Sequence, residues 1–319
     1  MKKNLFLIFS FFCIFSLSGK EEFIQYSSIP ANGHIQGLAG DGKFLYRVFN
    51  YHAVKSDLKG KTVKTVLLKR DWKKPFHAGD PCILGDKIYV PVSVSGFNRH
   101  LNGKTSLNYI QVYDLELNYI RTYSVPELEH GAGCITSDGK NFFVSGGRPY
   151  DTACNVIYEY DKEFKFRKAH KLNFTTYVGV QTLAFDGKDF WVGCFRAIPR
   201  TFRVSRDFRK IWYYNFNTSV GMIPLKDGRM IINMPMGDNR AKYVDPEKFR
   251  LQCKYIEYDM NCHAKLDGKV YTDLSVLYSR TRKFPGYLFI LRFPEKFPFS
   301  KWVAVKQYIP NPHLIEIVE

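Results

Sequence analysis

Four histidines, His34, His77, His130 and His263, each stand at or just ahead of a short apolar run. An imidazole titrates near working pH, so it can take or give a proton or ligate a metal. Arginines occupy a second recurring place, after apolar runs: Arg99 in "GFNRHLNGKTSL", Arg148 in "GGRPYD", Arg196 in "CFRAIPR" and Arg240 in "GDNR". A guanidinium fork matches the geometry of carboxylate or sulfate. The two sets together suit an anionic sugar. They also suit β-elimination from a uronate, where carboxylate charge is neutralised before a proton is removed. Asp80, Gln36 and Gln181 hold places related to those of the histidines. His130, His77 and His34 are therefore the candidate catalytic groups. His263, Asp80, Gln36, Gln181, Arg148, Arg196, Arg240 and Arg99 are the candidate binding groups. A second reading stands beside this one: a histidine at a strand start serves as a structural hydrogen-bonding residue, and equivalent histidines reflect inheritance of a repeat. The carboxylates that accompany ligating histidines are sparse, so neither a metal nor another cofactor is expected.

The elements that must position these groups form a repeat. "HIQGLAGDGKFLYRVF", "DPCILGDKIYVPVS", "HGAGCITSDGKNFFVS", "GVQTLAFDGKDFWVGCF", "VGMIPLKDGRMIINM" and "NCHAKLDGKVYTDL" share one plan. Each is a short apolar strand, a two-residue Asp-Gly or Gly-Asp turn, then a β-branched and aromatic strand. Glycine there tolerates positive φ and lets the turn follow strand twist. Two more strand signals follow most hairpins, giving about four strands per roughly 40–50 residues, the rhythm of a β-propeller blade. The sequence predicts an all-β, six-bladed β-propeller of four-stranded antiparallel blades, with seven blades as the alternative. The turns would share one face. The histidines and arginines would gather at the opposite mouth of a central channel. "EEFIQYSSIP" and "KWVAVKQYIPNPHLIEIVE" compete as the outer strand that closes the ring.

By blade rhythm, the pattern resembles the six-bladed propellers grouped around NHL-repeat, gluconolactonase-like and glutaminyl-cyclotransferase-like proteins. The resemblance spans nearly the whole chain after the leader and implies the fold. The lactonases of that group hold a metal with a Glu, two Asn and an Asp around the axis. No such acidic set stands at the inner-strand positions here, so no catalytic residue carries over.

At its start the chain reads "MKKNLFLIFSFFCIFSLSGKEEF": two lysines, an apolar run, then small residues at cleavage-site spacing. This predicts a signal peptide over 1–18, a single propeller domain over 19–319, and a secreted or periplasmic protein without a lipid anchor. No later run is long and apolar enough to span a bilayer. Cys82, Cys134 and Cys194 lie in apolar strand-like runs and read as buried thiols. Cys253 with Cys262, and Cys154 with Cys194, are the candidate disulfides. The formal charge of +17 favours an acidic partner. For an exported protein that partner is an acidic polysaccharide or another anionic ligand. The aromatics sit at strand spacing, so neither a nucleic acid nor a membrane span is expected, and the chain reads as a monomer. Three functions compete: a binding propeller holding an acidic glycan at a His/Arg-lined mouth, a polysaccharide lyase or hydrolase with a histidine base and arginine clamps, and a structural or protein-interaction module.

Overall fold

The computed structural model describes residues 22–30, 33–70, 72, 76–94, 107–128, 131–146, 155–172, 179–194, 201–214, 216–234 and 238–251, and beyond them only short strands as far as residue 317. The chain is an all-β propeller of antiparallel blades, five in number and not six. After β1 (Phe23–Gln25), the first blade is β2 (Ile35–Gly40), β3 (Phe44–Phe49), β4 (His52–Asp57) and β5 (Thr62–Leu67). The second has a split inner strand, β6 (Phe76–Ala78) and β7 (Cys82–Leu84), both on β8 (Lys87–Val94), followed by β9 (Leu107–Asp114) and β10 (Tyr119–Ser124). The third is β11 (Cys134–Ser137), β12 (Phe142–Ser145), β13 (Val156–Tyr160) and β14 (Phe166–Lys171). The fourth is β15 (Val180–Phe185), β16 (Asp189–Cys194), β17 (Thr201–Ser205) and β18 (Ile211–Tyr214). The fifth is β19 (Met222–Pro224), β20 (Met230–Asn233) and β21 (Arg240–Val244), completed on its outer edge by β1.

Two observations fix the count. Neighbouring inner strands touch in a closed cycle, β2 to β7, β7 to β11, β11 to β15, β15 to β19 and β19 back to β2. The buried apolar side chains also form five clusters, each made chiefly by two adjacent blades. Leu38 and Leu45 of the first blade meet Ile24, Tyr26, Ile231 and Ala241 of the fifth, so the seam is packed like the rest. A strand buried on both faces explains why the inner runs are continuously apolar where a one-sided sheet would alternate. The N-terminal outer strand, one of the two candidates from sequence, is the one that closes the ring.

The sixth hairpin keeps its local form but lies elsewhere. After a 3₁₀ turn (Pro246–Phe249) and β22 (Arg250–Leu251), which adds a fifth strand to the outer edge of the fourth blade, come β23 (Glu257–Tyr258), β24 (Ala264–Leu266) and β25 (Lys269–Tyr271) as a three-stranded sheet. Then β26 (Leu274–Ser275), β27 (Tyr287–Arg292), β28 (Val303–Asn311) and β29 (Leu314–Ile317) form a four-stranded one. Among the described residues, neither sheet pairs with a blade of the ring.

The turns also differ from the two-residue expectation. Within the ring only Gly85-Asp86 is that tight, with Leu84 paired to Lys87; outside it, Leu266 pairs with Lys269 across Asp267-Gly268. In the first, third and fourth blades the loop is longer, and the aspartate side chain organises it: Asp41 accepts from Lys43 and Phe44 N–H (2.7 and 2.6 Å), Asp138 from Lys140 and Asn141 (2.8 and 2.8 Å), Asp186 from Lys188 and Asp189 (2.8 and 2.7 Å). Such Asx turns satisfy backbone donors that a wider loop leaves open.

Candidate functional site

The axis is filled by the residue that opens the inner strand of the second blade. Asp80 is fully buried. One carboxylate oxygen accepts from Leu38 N–H of the first blade (2.9 Å), the other from Leu183 N–H of the fourth (3.1 Å). Its own backbone N–H donates to Gly133 of the third (2.8 Å), and its carbonyl accepts from Ile135 (3.1 Å). One residue thus ties four blades together. The approach is close enough that a Cβ on Gly37 would lie 2.3 Å from the Asp80 Cα, and one on Gly79 would lie 2.0 Å from the Gly133 carbonyl. The expected channel is therefore occupied at this level by Asp80 and by inner-strand backbone. Burial pushes the Asp80 carboxyl well above its ordinary value, and the two N–H donors offset only part of that.

Above this plug, at the inner-strand starts, the first two blades bring together the polar side chains His34, Gln36, Asn50 and His77. The Gln36 amide donates to His34 Nδ1 and to Asn50 Oδ1, the latter at 2.8 Å. The backbone ties the same residues, Asn50 N–H to His34 carbonyl (3.2 Å) and Ala78 N–H to Asn50 carbonyl (3.2 Å). His34 and His77 are close enough to repel when charged. Burial lowers His34 below its ordinary value. Burial first, and the charge of His34 second, push His77 down to about 4. Both imidazoles are neutral at neutral pH, so they act there as hydrogen-bond partners and not as cations. Chemically, the group can accept a proton or cradle polar groups of a ligand.

Gln36 and Gln181 do occupy equivalent places. Each lies at a register shift in its inner strand, between Ile35 and Gly37 in one and Val180 and Thr182 in the other. Two residues on stand Leu38 and Leu183, the two backbone donors to Asp80. The matching bulges aim both N–H groups at one carboxylate.

Arg240 sits where the second and third strands of the fifth blade meet. Its Nε and one terminal nitrogen donate to the two carboxylate oxygens of Asp238, at 2.7 and 2.7 Å, and its guanidinium lies 4.4 Å from the Phe23 ring centre. His130, His263, Arg99, Arg148 and Arg196 lie outside the described residues. The strand that follows His263, β24, belongs to the separate three-stranded sheet and not to a sixth blade. Cys82 and Cys134 are buried free thiols, held in the thiol form by burial and by nearby Asp80. Cys194 is buried as well. Cys154, Cys253 and Cys262 lie outside the described residues. Among the described residues no three His, Cys, Asp or Glu side chains converge as metal ligands, and no helix is long and apolar enough to cross a membrane.

Two polar residues escaped the sequence reading, one in this cluster and one in the seam between the first and fifth blades. Asn50 opens the second-to-third-strand turn of the first blade, and its position one residue past an apolar strand was the available signal. Arg47 lies inside "FLYRVF", a cation in an otherwise apolar strand. That break in the pattern marks a buried charge.

No known family matches the chain, and neither does any curated protein. Among solved structures, a protein of unknown function from Bacteroides caccae is 14% identical, with a TM-score of 0.42, over 73% of this chain and 81% of that one. The WD40 domain of Neurospora crassa Pan2 is 5% identical, with a TM-score of 0.33, over 66% of this chain and 74% of that one. What the chain is rests on its own five sheets: a β-propeller.

Proposed function

We propose that this protein is an exported binding propeller that holds an anionic ligand, an acidic glycan, on the face where the inner strands begin. The observation that carries the reading is the convergence of His34, Gln36, Asn50 and His77 from two blades on that face. The net charge of +17 supports the sign of the ligand, and the leader-like residues 1–18 support an extracellular or periplasmic setting where such glycans occur. In this reading Arg99, Arg148 and Arg196, which follow apolar runs in the sequence, supply the anion clamps, and neutral imidazoles and amides contact hydroxyl groups. Asp80 contributes by fixing the floor. The likeness in blade rhythm to NHL-repeat and gluconolactonase-like propellers enters only as architecture, and five blades set this ring apart from theirs.

The test is retention of the purified protein on immobilised acidic polysaccharides, with a parallel assay for new ultraviolet-absorbing unsaturated ends. Binding predicts retention that His34→Ala weakens modestly and no new unsaturated ends. Unsaturated ends, lost by roughly 10²–10⁴ in rate in His34→Ala, would instead make the protein a lyase with a neutral histidine as base. No retention on any acidic polysaccharide would sink both.

A further inference from the structure

The seam between the first and fifth blades holds a buried cation without a counter-ion. Alternation along β3 puts Leu45, Arg47 and Phe49 on the side facing the seam. Arg47 is 1% exposed. Its guanidinium donates to the Ser28 carbonyl (3.0 Å), Asn239 Oδ1 (3.2 Å) and, at 3.4 Å, Ser56 Oγ, and it lies 3.7 Å from the centre of the Tyr26 ring. These use three of its five N–H donors, and the buried Nε makes no hydrogen bond. No carboxylate pairs with it among the described residues. The one acidic group beside it, Asp238, is gripped by Arg240. A desolvated ion with no opposite charge is unfavourable, and an incoming anion would relieve that cost.

The same arginine lines an open pocket beside the N-terminal segment. Its other walls are Tyr26, Ile29, Ile35 and Phe49, with Asn239 and Arg240 at the polar end. The wall is largely apolar and aromatic, and the polar end carries two guanidinium groups against one carboxylate. We propose that this seam pocket binds a small organic carboxylate whose body is an apolar or aromatic ring, its carboxylate directed to the Arg47 end and its ring against Tyr26, Phe49 and the two isoleucines. The site is separate from the histidine cluster, and its test does not depend on that reading.

Benzoate serves as the probe and benzamide as its uncharged counterpart, with binding to the full chain followed by calorimetry or by ligand-observed NMR. Benzoate should bind at least 10-fold more tightly than benzamide. Arg47→Met should weaken benzoate at least 10-fold while leaving benzamide unchanged. Arg47 also holds the N-terminal segment, so this variant is to be checked for a native circular dichroism spectrum. If it misfolds, Ile29→Trp decides: Ile29 is 46% exposed, so a larger side chain fills the pocket without disturbing the core, and it should abolish benzoate binding. Equal affinity for benzoate and benzamide, no benzoate binding at all, or undiminished binding in Ile29→Trp would each overturn the proposal.

Discussion

Removing the Asp80 carboxylate would strand two buried backbone donors at once, those of Leu38 and Leu183. An orphaned buried donor costs roughly 1–3 kcal/mol, so Asp80→Ala should lose about 3 kcal/mol or more of stability in denaturant titrations. Asp80→Asn keeps one acceptor and presents an N–H where the second acceptor was, so its loss should be smaller but still measurable. A neutral outcome for both would mean that the axis is held by backbone packing alone. His77 makes a different residue-scale prediction. Its folded value is lowered from 6.5 to about 4, so the unfolded chain binds its proton more readily than the folded one. Stability should therefore fall as pH drops from about 6.5 to about 4, by roughly 3 kcal/mol from this residue, and level off below. Asp80 acts with the opposite sign: its raised value favours folding below its ordinary 3.8 and is lost as pH rises. His77→Gln should flatten the decline between pH 6.5 and 4. An unchanged slope in that variant would assign the pH dependence to other groups.

Among the elements, β1 carries the most consequence for its length. Its backbone pairs Phe23 with Lys242, Ile24 with Ala241 and Gln25 with Arg240, and Ile24 and Tyr26 complete the seam cluster. Deleting residues 1–26 should leave β21 as an open edge with a gap in the core behind it. Faster hydrogen exchange in β21 than in β13 and self-association of the truncated chain are the expected readouts. A monomeric truncation with full protection in β21 would show that β1 is dispensable. Element scale is also where the sequence was easiest and hardest to read. The hairpins were legible because Asp-Gly chemistry and β-branched runs are local properties, and five of the six became the inner pairs of blades. The sixth, around Asp267-Gly268, has the same local chemistry, so nothing within it told its fate. Blade count is decided by which distant strand covers the edge of β21, a non-local fact. The site was half legible for the same reason. Position in the repeat brought out His34, Gln36, His77 and Asp80, but that the Asp80 carboxylate reaches two other blades follows only from the closeness of a five-bladed ring.

For the molecule as a whole, charge is the property that reaches a partner first. An excess of +17 steers anions over distances that salt screens, with a Debye length of about 10 Å at 0.1 M. Retention on an acidic polysaccharide should therefore fall steadily as salt rises from about 0.05 to 0.5 M. Benzoate in the seam pocket, held by a buried guanidinium, should respond much less. Equal salt dependence of the two would mean that both ligands sit on the outer, screened surface.

The seam also sets a clock. β1 is made well before its partner β21, which follows more than two hundred residues later, Phe23 against Lys242. At roughly 5–20 residues per second, synthesis would keep the two apart for about 10–40 s. During that interval Ile24 and Tyr26 have no cluster to join, Arg47 has no Asn239 to hold, and each completed blade presents a greasy flank awaiting the next. The protein therefore cannot finish folding from its beginning onward. Whatever attends the growing chain must shield its first strand until the last blade arrives, and a chain halted before residue 240 would never become a ring.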